Sequence, residues 1–525
     1  MIVALGVMFV TSLLLVAAFT IANGETEASR NDLQRRQAYY AALAGVQQYE
    51  YELQANPDYW EKCKMPEGSV TGEPEHYKVE VLLAHSGEAA GFKECTTSSP
   101  FLSAIESKGS LTNTFRIKSV GTTGKAKRTL IATFKVTGFL DYVYFTNFET
   151  EDPGLYNAPS GCVGAYYKEW SAAGLNCSVI TFFGGDEVKG PFHTNDATRV
   201  EGGASFGRSS GELGGAPWDA IEINGGTYPE DENESCKGSP AFNTENKCYT
   251  TKGEKLEVPP TDTSLTAYVK PKYEYSGQTK IVLNGANNTY SVTTWNKKGE
   301  EETEPSVPWP ENGLIYVKGS GACSYAYSAF GSDTATEVKE RKGCGDVYVK
   351  GTYSESLTIA AESNLIINGN LIPYNLKGKE GEAPTGTAVL GLIASNYVRI
   401  YHPVQTGGTN TETSCNESNL SEASDPNKWG SRVNPWIYAA ILSTAHSFLV
   451  DNFRCGSGMG ELNVYGAIAQ NYRGIVGTGS AFSIASGYEK DYKYDNRLAT
   501  DEPPYFLAPL KAGWKVIRET APGPG

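Results

Sequence analysis

MIVALGVMFVTSLLLVAAFTIA, residues Met1–Ala22, is apolar except for Thr11, Ser12 and Thr20. It runs straight into NGETEASRNDLQRRQAYYAALAGVQQYEYELQAN, residues Asn23–Asn56. The first stretch is long enough to cross a bilayer as a helix. The second is rich in helix formers, and Ala42, Val46, Tyr49 and Leu53 recur at helical spacing, so it carries a single apolar stripe. Pro57 ends the pattern, because proline restricts the residue before it and cannot donate the next backbone bond. Asn23-Gly24 is a poor helix interior, which predicts a break near residues 20–24 between an apolar half (1–22) and an amphipathic half (25–56). A helix this long would reach about 80 Å, with one end suited to lipid or its equivalent and the other to a folded domain.

That design, with the run QAYYAALAGVQQYEYEL at Gln37–Leu53, resembles the N-terminal helix of type IV pilins, and within them the PilX-like minor pilin group. The resemblance covers about the first tenth of the chain. It implies that the apolar half first anchors the subunit in an inner membrane and then packs with other copies as the core of a helical filament. It also implies a prepilin peptidase, a pilus assembly machinery and methylation of the new terminal amine. Met1, Leu5, Gly6, Phe9, Leu13, Val16 and Phe19 are then the candidate assembly residues, with Asn23 and Gly24 at the helix break. Most major pilins carry a glutamate where this chain has Leu5, and no acid occurs before Glu25. That departure bears on major against minor subunit rather than on the family. No basic region precedes the apolar run, as expected of a chain already cleaved.

The chain has 525 residues, too many for one ordinary domain. Its 32 Tyr and 57 Gly suit a turn-rich extracellular β surface. A net charge of -15 argues against nucleic acid as partner. Ten cysteines without a CxxC read as disulfides of an oxidising compartment rather than zinc ligands. Pairing of sequence neighbours is the expectation: Cys63 with Cys95, Cys162 with Cys177, Cys236 with Cys248, Cys323 with Cys344, and Cys415 with Cys455.

After Pro57 three alternating runs, His76–Leu83, Asn113–Val120 and Arg128–Val136, predict a small antiparallel sheet laid on the helix stripe, a head over residues 57–138. The last two flank GTTGK, a short hairpin connection. Residues 139–525 then show short apolar strands separated by Gly, Asn and Asp, such as LTIAAESNLIINGNLI at Leu357–Ile372 and WIYAAILSTAHSFLVDN at Trp436–Asn452. Their spacing predicts a β-solenoid or β-helix, with a β-sandwich as alternative. Loop insertions are expected at residues 211–260 and 406–434, and the segment from Pro503 is expected to cap the large domain. The fold class is therefore α+β overall.

Chemistry is sparse. Asp186, Glu187, Lys189, His193 and Asp196 form the densest titratable cluster, and paired carboxylates are what glycoside hydrolysis requires. Acids at solenoid corners also serve turn geometry alone, so no catalytic, cofactor or metal residue is assigned. His446 lies inside an apolar strand and reads as a satisfied buried or half-buried histidine rather than a ligand. The acidic runs Glu230–Glu234 and Glu300–Glu304 match no calcium loop. Asn-x-Ser/Thr occurs at Asn176, Asn233, Asn287, Asn416 and Asn419, where surface glycans would suit a filament. Tyr39, Tyr40, Tyr49 and Tyr51 read as packing. The resemblance thus implies a non-enzymatic, disulfide-bonded bacterial subunit of an extracellular filament, a homo-oligomer whose β-domain meets glycans or other cells. A tip adhesin on a filament of another protein and a membrane-tethered solenoid enzyme are the alternatives.

Overall fold

The computed structural model describes residues 1–56, 59, 67–70, 75–83, 93–94, 114–156, 158–228, 241–244, 248–295, 300–321, 323, 326–327, 341–402, 405–406, 415–416, 434–480, 483–499, 501–510 and 513–520. The fold is α+β: a long N-terminal helix on an antiparallel sheet, followed by a large β-rich domain. The chain forms two compact units, one of residues 1–108, 113–137 and 513–525, the other of 109–112 and 138–512.

In the first unit the helix is continuous over Ile2–Ala55. The break expected at residues 20–24 is absent. One Asn and one Gly cost the helix only about 1–2 kcal/mol together, and strong helix formers on both sides propagate through them once nucleated. The helix ends at Asn56, whose backbone is extended, as expected before Pro57. Its C-terminal half buries Ala42, Val46, Tyr49 and Leu53, together with Ala38, Ala41 and Gly45. The stripe lies on Val79, Val81, Ile117, Leu130, Ala132 and Phe134. Those residues belong to strands His76–Leu83, Thr114–Thr123 and Ala126–Val136, paired antiparallel in that order. A two-residue turn with Gly124 at φ +56° joins the last two, the conformation glycine allows at a hairpin corner. Gly121 has no Cβ to keep the sheet away, and one placed there would overlap the Ala38 carbonyl and the Ala42 nitrogen. Ser119 Oγ donates to the Ala42 carbonyl at 2.7 Å, tying sheet to helix.

The C-terminal segment departs from expectation. Tyr505 and Phe506 are buried in the core of the large domain. Trp514–Thr520 instead pairs antiparallel with Ala126–Val136 and completes the head sheet. Trp514 joins the head core. The large domain is thus an insertion between two adjacent strands of the head.

The second unit is a solenoid. Leu314–Lys318, Leu357–Ala361, Leu390–Ala394, Trp436–Ser443 and Gly458–Arg473 stack parallel and in register, which a sandwich of antiparallel hairpins would not give. Leu357, Ile359, Leu390, Leu392, Ile437 and Ile441 point inward and are fully buried or nearly so. Stacking continues through a partner far away in sequence: Ile468 is level with Tyr144, Tyr144 with Phe192, and Phe192 with Ile221. The chain therefore enters the solenoid at its middle and winds to one end by Thr250, which bridges Glu222 in parallel. It returns along the outside and winds from Glu274 at the other end back to the middle. Residues 211–260, expected to be a loop insertion, contain the terminal rungs Ile221–Ile223 and Ala241–Phe242, held against Phe192–Thr194 and Ser205–Phe206. Short apolar triplets among Gly and Asp were too brief to read as strands. Of residues 406–434, the pair Cys415–Asn416 bonds antiparallel to Gln405–Thr406, and most of the rest lies outside the described residues.

The returning strap is gripped by a polar corner. Asn195 donates to the Leu256 carbonyl (2.7 Å) and accepts its N–H (3.2 Å). Asp262, farther along, accepts from Ser395 Oγ (2.8 Å) and Tyr316 Oη (3.1 Å). Between these grips the corner passes Asn147, Asn471 and Thr444. Four rungs at about 4.8 Å span about 19 Å, and the six residue steps from Leu256 to Asp262 reach about 20 Å extended. The strap is taut.

Cys162 is bonded to Cys177 and Cys323 to Cys344, and Cys248 and Cys455 are also disulfide-bonded. Cys63, Cys95 and Cys236, and the side chain of Cys415, lie outside the described residues.

Candidate assembly interface

The helix has two physically different halves. From Ala38 onward it is held by the head sheet, whereas residues 1–33 are exposed throughout. Met1, Leu5, Phe9, Leu13, Val16 and Phe19 are all exposed, Phe9 by 67 % and Phe19 by 70 %. Gly6 has nothing within 4 Å of where a Cβ would stand. Among the described residues this is one helix long and apolar enough to cross a membrane, and none of its most apolar window is buried. Thr11 and Thr20 do not make the block polar, because their hydroxyls bond back to Val7, Met8, Val16 and Ala17 carbonyls. So large an apolar surface on one element demands cover. Asn23 and Gly24 sit in the helix on its exposed side of the head.

The sequence reading passed over the next stretch. Glu25, Glu27, Arg30, Asp32, Arg35 and Arg36 all lie on exposed helix, and Asp32 pairs with Arg36 one turn on at 3.1 Å. Alternation of acid and base at helical spacing was the available signal.

The candidate chemistry is not brought to one place. Asp186 is fully buried against Lys490 Nζ (2.6 Å), and burial lowers the Lys490 pKa against the pull of Asp186. His193 is clasped between Glu222 (2.7 Å) and Asn195 (3.1 Å). Asp196 accepts backbone N–H groups from Tyr167, Ala197 and Glu149 (2.7, 2.7 and 3.1 Å). Burial pushes its pKa up to about 7, partly offset by those donors. Glu187 and Lys189 pair with each other on the outer face. Each of these side chains has a structural partner. His446 is a half-buried histidine with its hydrogen bond satisfied, as its place in an apolar strand suggested. Its side chain is 30 % exposed, with Nδ1 on Asp152 at 2.9 Å and its ring stacked on Tyr397 at 4.4 Å.

Among the described residues no group of three or more His, Cys, Asp or Glu could hold a metal ion. The run at 300–304 contributes an exposed edge strand, Glu301–Pro308, whose charges discourage pairing with another chain; residues 230–234 lie outside the described ones. Asn176 and Asn287 are exposed; of Asn416 only the backbone is described, and Asn233 and Asn419 lie outside the described residues. Tyr49 packs edge-on to Tyr59 at 5.3 Å, while Tyr39, Tyr40 and Tyr51 are exposed rather than packed.

A long N-terminal helix on an antiparallel sheet fits a pilin. The competence-associated pilin ComZ from Thermus thermophilus is similar at 13% identity and a TM-score of 0.27, over 94% of this chain and 98% of that one. No protein-family model matches the sequence, and no curated protein does.

Proposed function

We propose that this chain is a pilin-like structural subunit, of the PilX-like kind, that polymerises through residues 1–22 into an extracellular filament of a bacterial cell. The observation that carries this reading is the helix itself: an apolar block with no cover in the single chain, rigidly continuous with a half that is fixed to the head. Before assembly the block sits in the inner membrane. During assembly Met1, Leu5, Gly6, Phe9, Leu13, Val16 and Phe19 exchange lipid for the same surface of other copies. A prepilin peptidase and the pilus machinery act at these two stages, and the terminal amine is methylated. The solenoid, closed by disulfides, is the part offered to glycans or other cells, and the chain performs no catalysis.

The test is electron microscopy of material sheared from producing cells, with mass spectrometry of the same fraction. Filaments in which this chain dominates support the reading, and Leu13→Asp or Gly6→Asp should abolish them, because the charge would be buried unpaired. Normal filaments from either variant, or the chain found solely as monomer, would end it. A second reading, a minor or tip adhesin, is favoured by the lack of any acid before Glu25. Trace stoichiometry in filaments of another protein would select it.

A further inference from the structure

The exposed helix carries charges that the single chain does not use. Between the apolar block and Ala38, the first buried residue, stand three acids and three arginines. Asp32 and Arg36 pair within the helix. Glu25, Glu27, Arg30 and Arg35 have no ion-pair partner among the described residues. The acids are gathered toward the N-terminal side and the arginines toward the head.

We propose that this segment sets the register between copies of the chain. Parallel helices pack shifted along their axes by nine to ten residues, about 14 Å, so that Glu25 of one copy meets Arg35 of one neighbour and Glu27 meets Arg36 of another, Arg36 being shared with Asp32 of its own helix. The inference rests on the filament reading and specifies its geometry.

Charge complementarity selects the shift. With no shift, every charge stands level with its own copy, acid on acid and arginine on arginine, which repels. A shift of three to four residues pairs Glu27 with Arg30 and Asp32 with Arg35, but leaves Arg30 close to the neighbour's Arg35. At nine to ten residues Glu25 is level with Arg35 and Glu27 with Arg36, and no like charges are level. Asp32, the acid already partnered, then faces neutral residues. Arg30 comes level with Tyr39 and Tyr40, which are 38 % and 64 % exposed and whose ring faces accept a guanidinium. About half of the apolar block still overlaps at this shift, so the charged and apolar surfaces are satisfied by one arrangement. Glu25 and Glu27 lie about half a helical turn apart and so meet different neighbours, as they do in a bundle surrounded on all sides.

The experiment compares the full chain, Glu25→Arg/Glu27→Arg, and that variant with Arg35→Glu/Arg36→Glu added, all in producing cells. Filament yield is read against the amount of chain in the membrane. We expect the double variant to lose filaments by about ten-fold or more at unchanged membrane level, and the quadruple variant to recover them. Normal assembly of the double variant, or no recovery in the quadruple, overturns the register. A fall in membrane level in both variants would mean that the charges serve lipid headgroups, and overturns it too. Helical reconstruction of the unaltered filament gives an independent reading: a displacement near 14 Å between adjacent helices is expected, and one differing by more than a helical turn, about 5 Å, overturns it. Filaments with another register refute this inference alone, whereas absence of filaments from the unaltered chain refutes the filament reading beneath it.

Discussion

Thr137 gives its backbone N–H to the carbonyl of Gly513 at 3.0 Å, so the chain leaves the head sheet and rejoins it at one point. Val136 is level with Trp514 on the neighbouring strand. The whole solenoid therefore occupies a hairpin connection.

Replacing residues 138–512 by a short glycine-rich turn, in a chain begun at Glu25 for solubility, should leave a folded head. A turn of two to five residues is what such a junction requires. Circular dichroism and the fluorescence of Trp514 should report a cooperative transition, and a non-cooperative melt would show that the head depends on its insertion.

Gly121→Val should destabilise that head by about 1–3 kcal/mol, because the added carbons overlap helix backbone and force the sheet off the stripe. Gly6→Ala, where nothing is near, should leave head stability unchanged. Paired thermal melts of the two variants make the comparison.

Arg473 and Glu149, both fully buried or nearly so, pair at 2.7 Å at the junction where the two runs of solenoid rungs meet. Glu149→Ala should cost about 3–5 kcal/mol by stranding a buried charge. Glu149→Leu with Arg473→Met should cost less than Glu149→Ala alone, a difference that denaturant titration resolves.

Asp262 is pushed up to about 7 by burial, against the donors Ser395 and Tyr316 that lower it. The folded state then binds a proton more tightly than an unfolded aspartate near 3.9. Its contribution is full below about pH 4, declines as pH rises toward 7, and changes little above that. The solenoid should melt at a higher temperature at pH 5 than at pH 8. Asp262→Asn, which keeps one acceptor for Ser395 and Tyr316, should flatten part of this slope. Asp196, also at about 7 through burial, should account for another part, and an unchanged slope in both Asn variants would refute the assignment.

Removing the Cys162–Cys177 bond, whose partners are 15 residues apart, should cost the local unit about 3 kcal/mol. Trp170, buried beside that bond, should become accessible to fluorescence quenching, with the remaining aromatic signal unaltered.

Local patterning made the helix stripe and three head strands legible, because burial on one side imposes periods of 3.6 and 2 directly on the residues. Parallel stacking was legible too, from short apolar runs with small corners. The helix break was misread because Asn23-Gly24 weakens a helix locally, while the helical runs on either side carry it through. The cluster from Asp186 to Asp196 could not be resolved from the sequence, because proximity along the chain carries no information about which rung or which face a side chain joins.

The sequence by itself determined an apolar helix too long for its head, an antiparallel sheet to receive the stripe, and a large β-domain stapled by cysteines. These follow from composition and period, which act between near neighbours. Tertiary structure alone decided that Trp514–Thr520 returns to the head, that Ile468 lies level with Tyr144, and that Asn195 and Asp262 hold the strap. Those contacts join residues 54 or more positions apart, where side-chain period says which face is buried but not which distant strand will cover it.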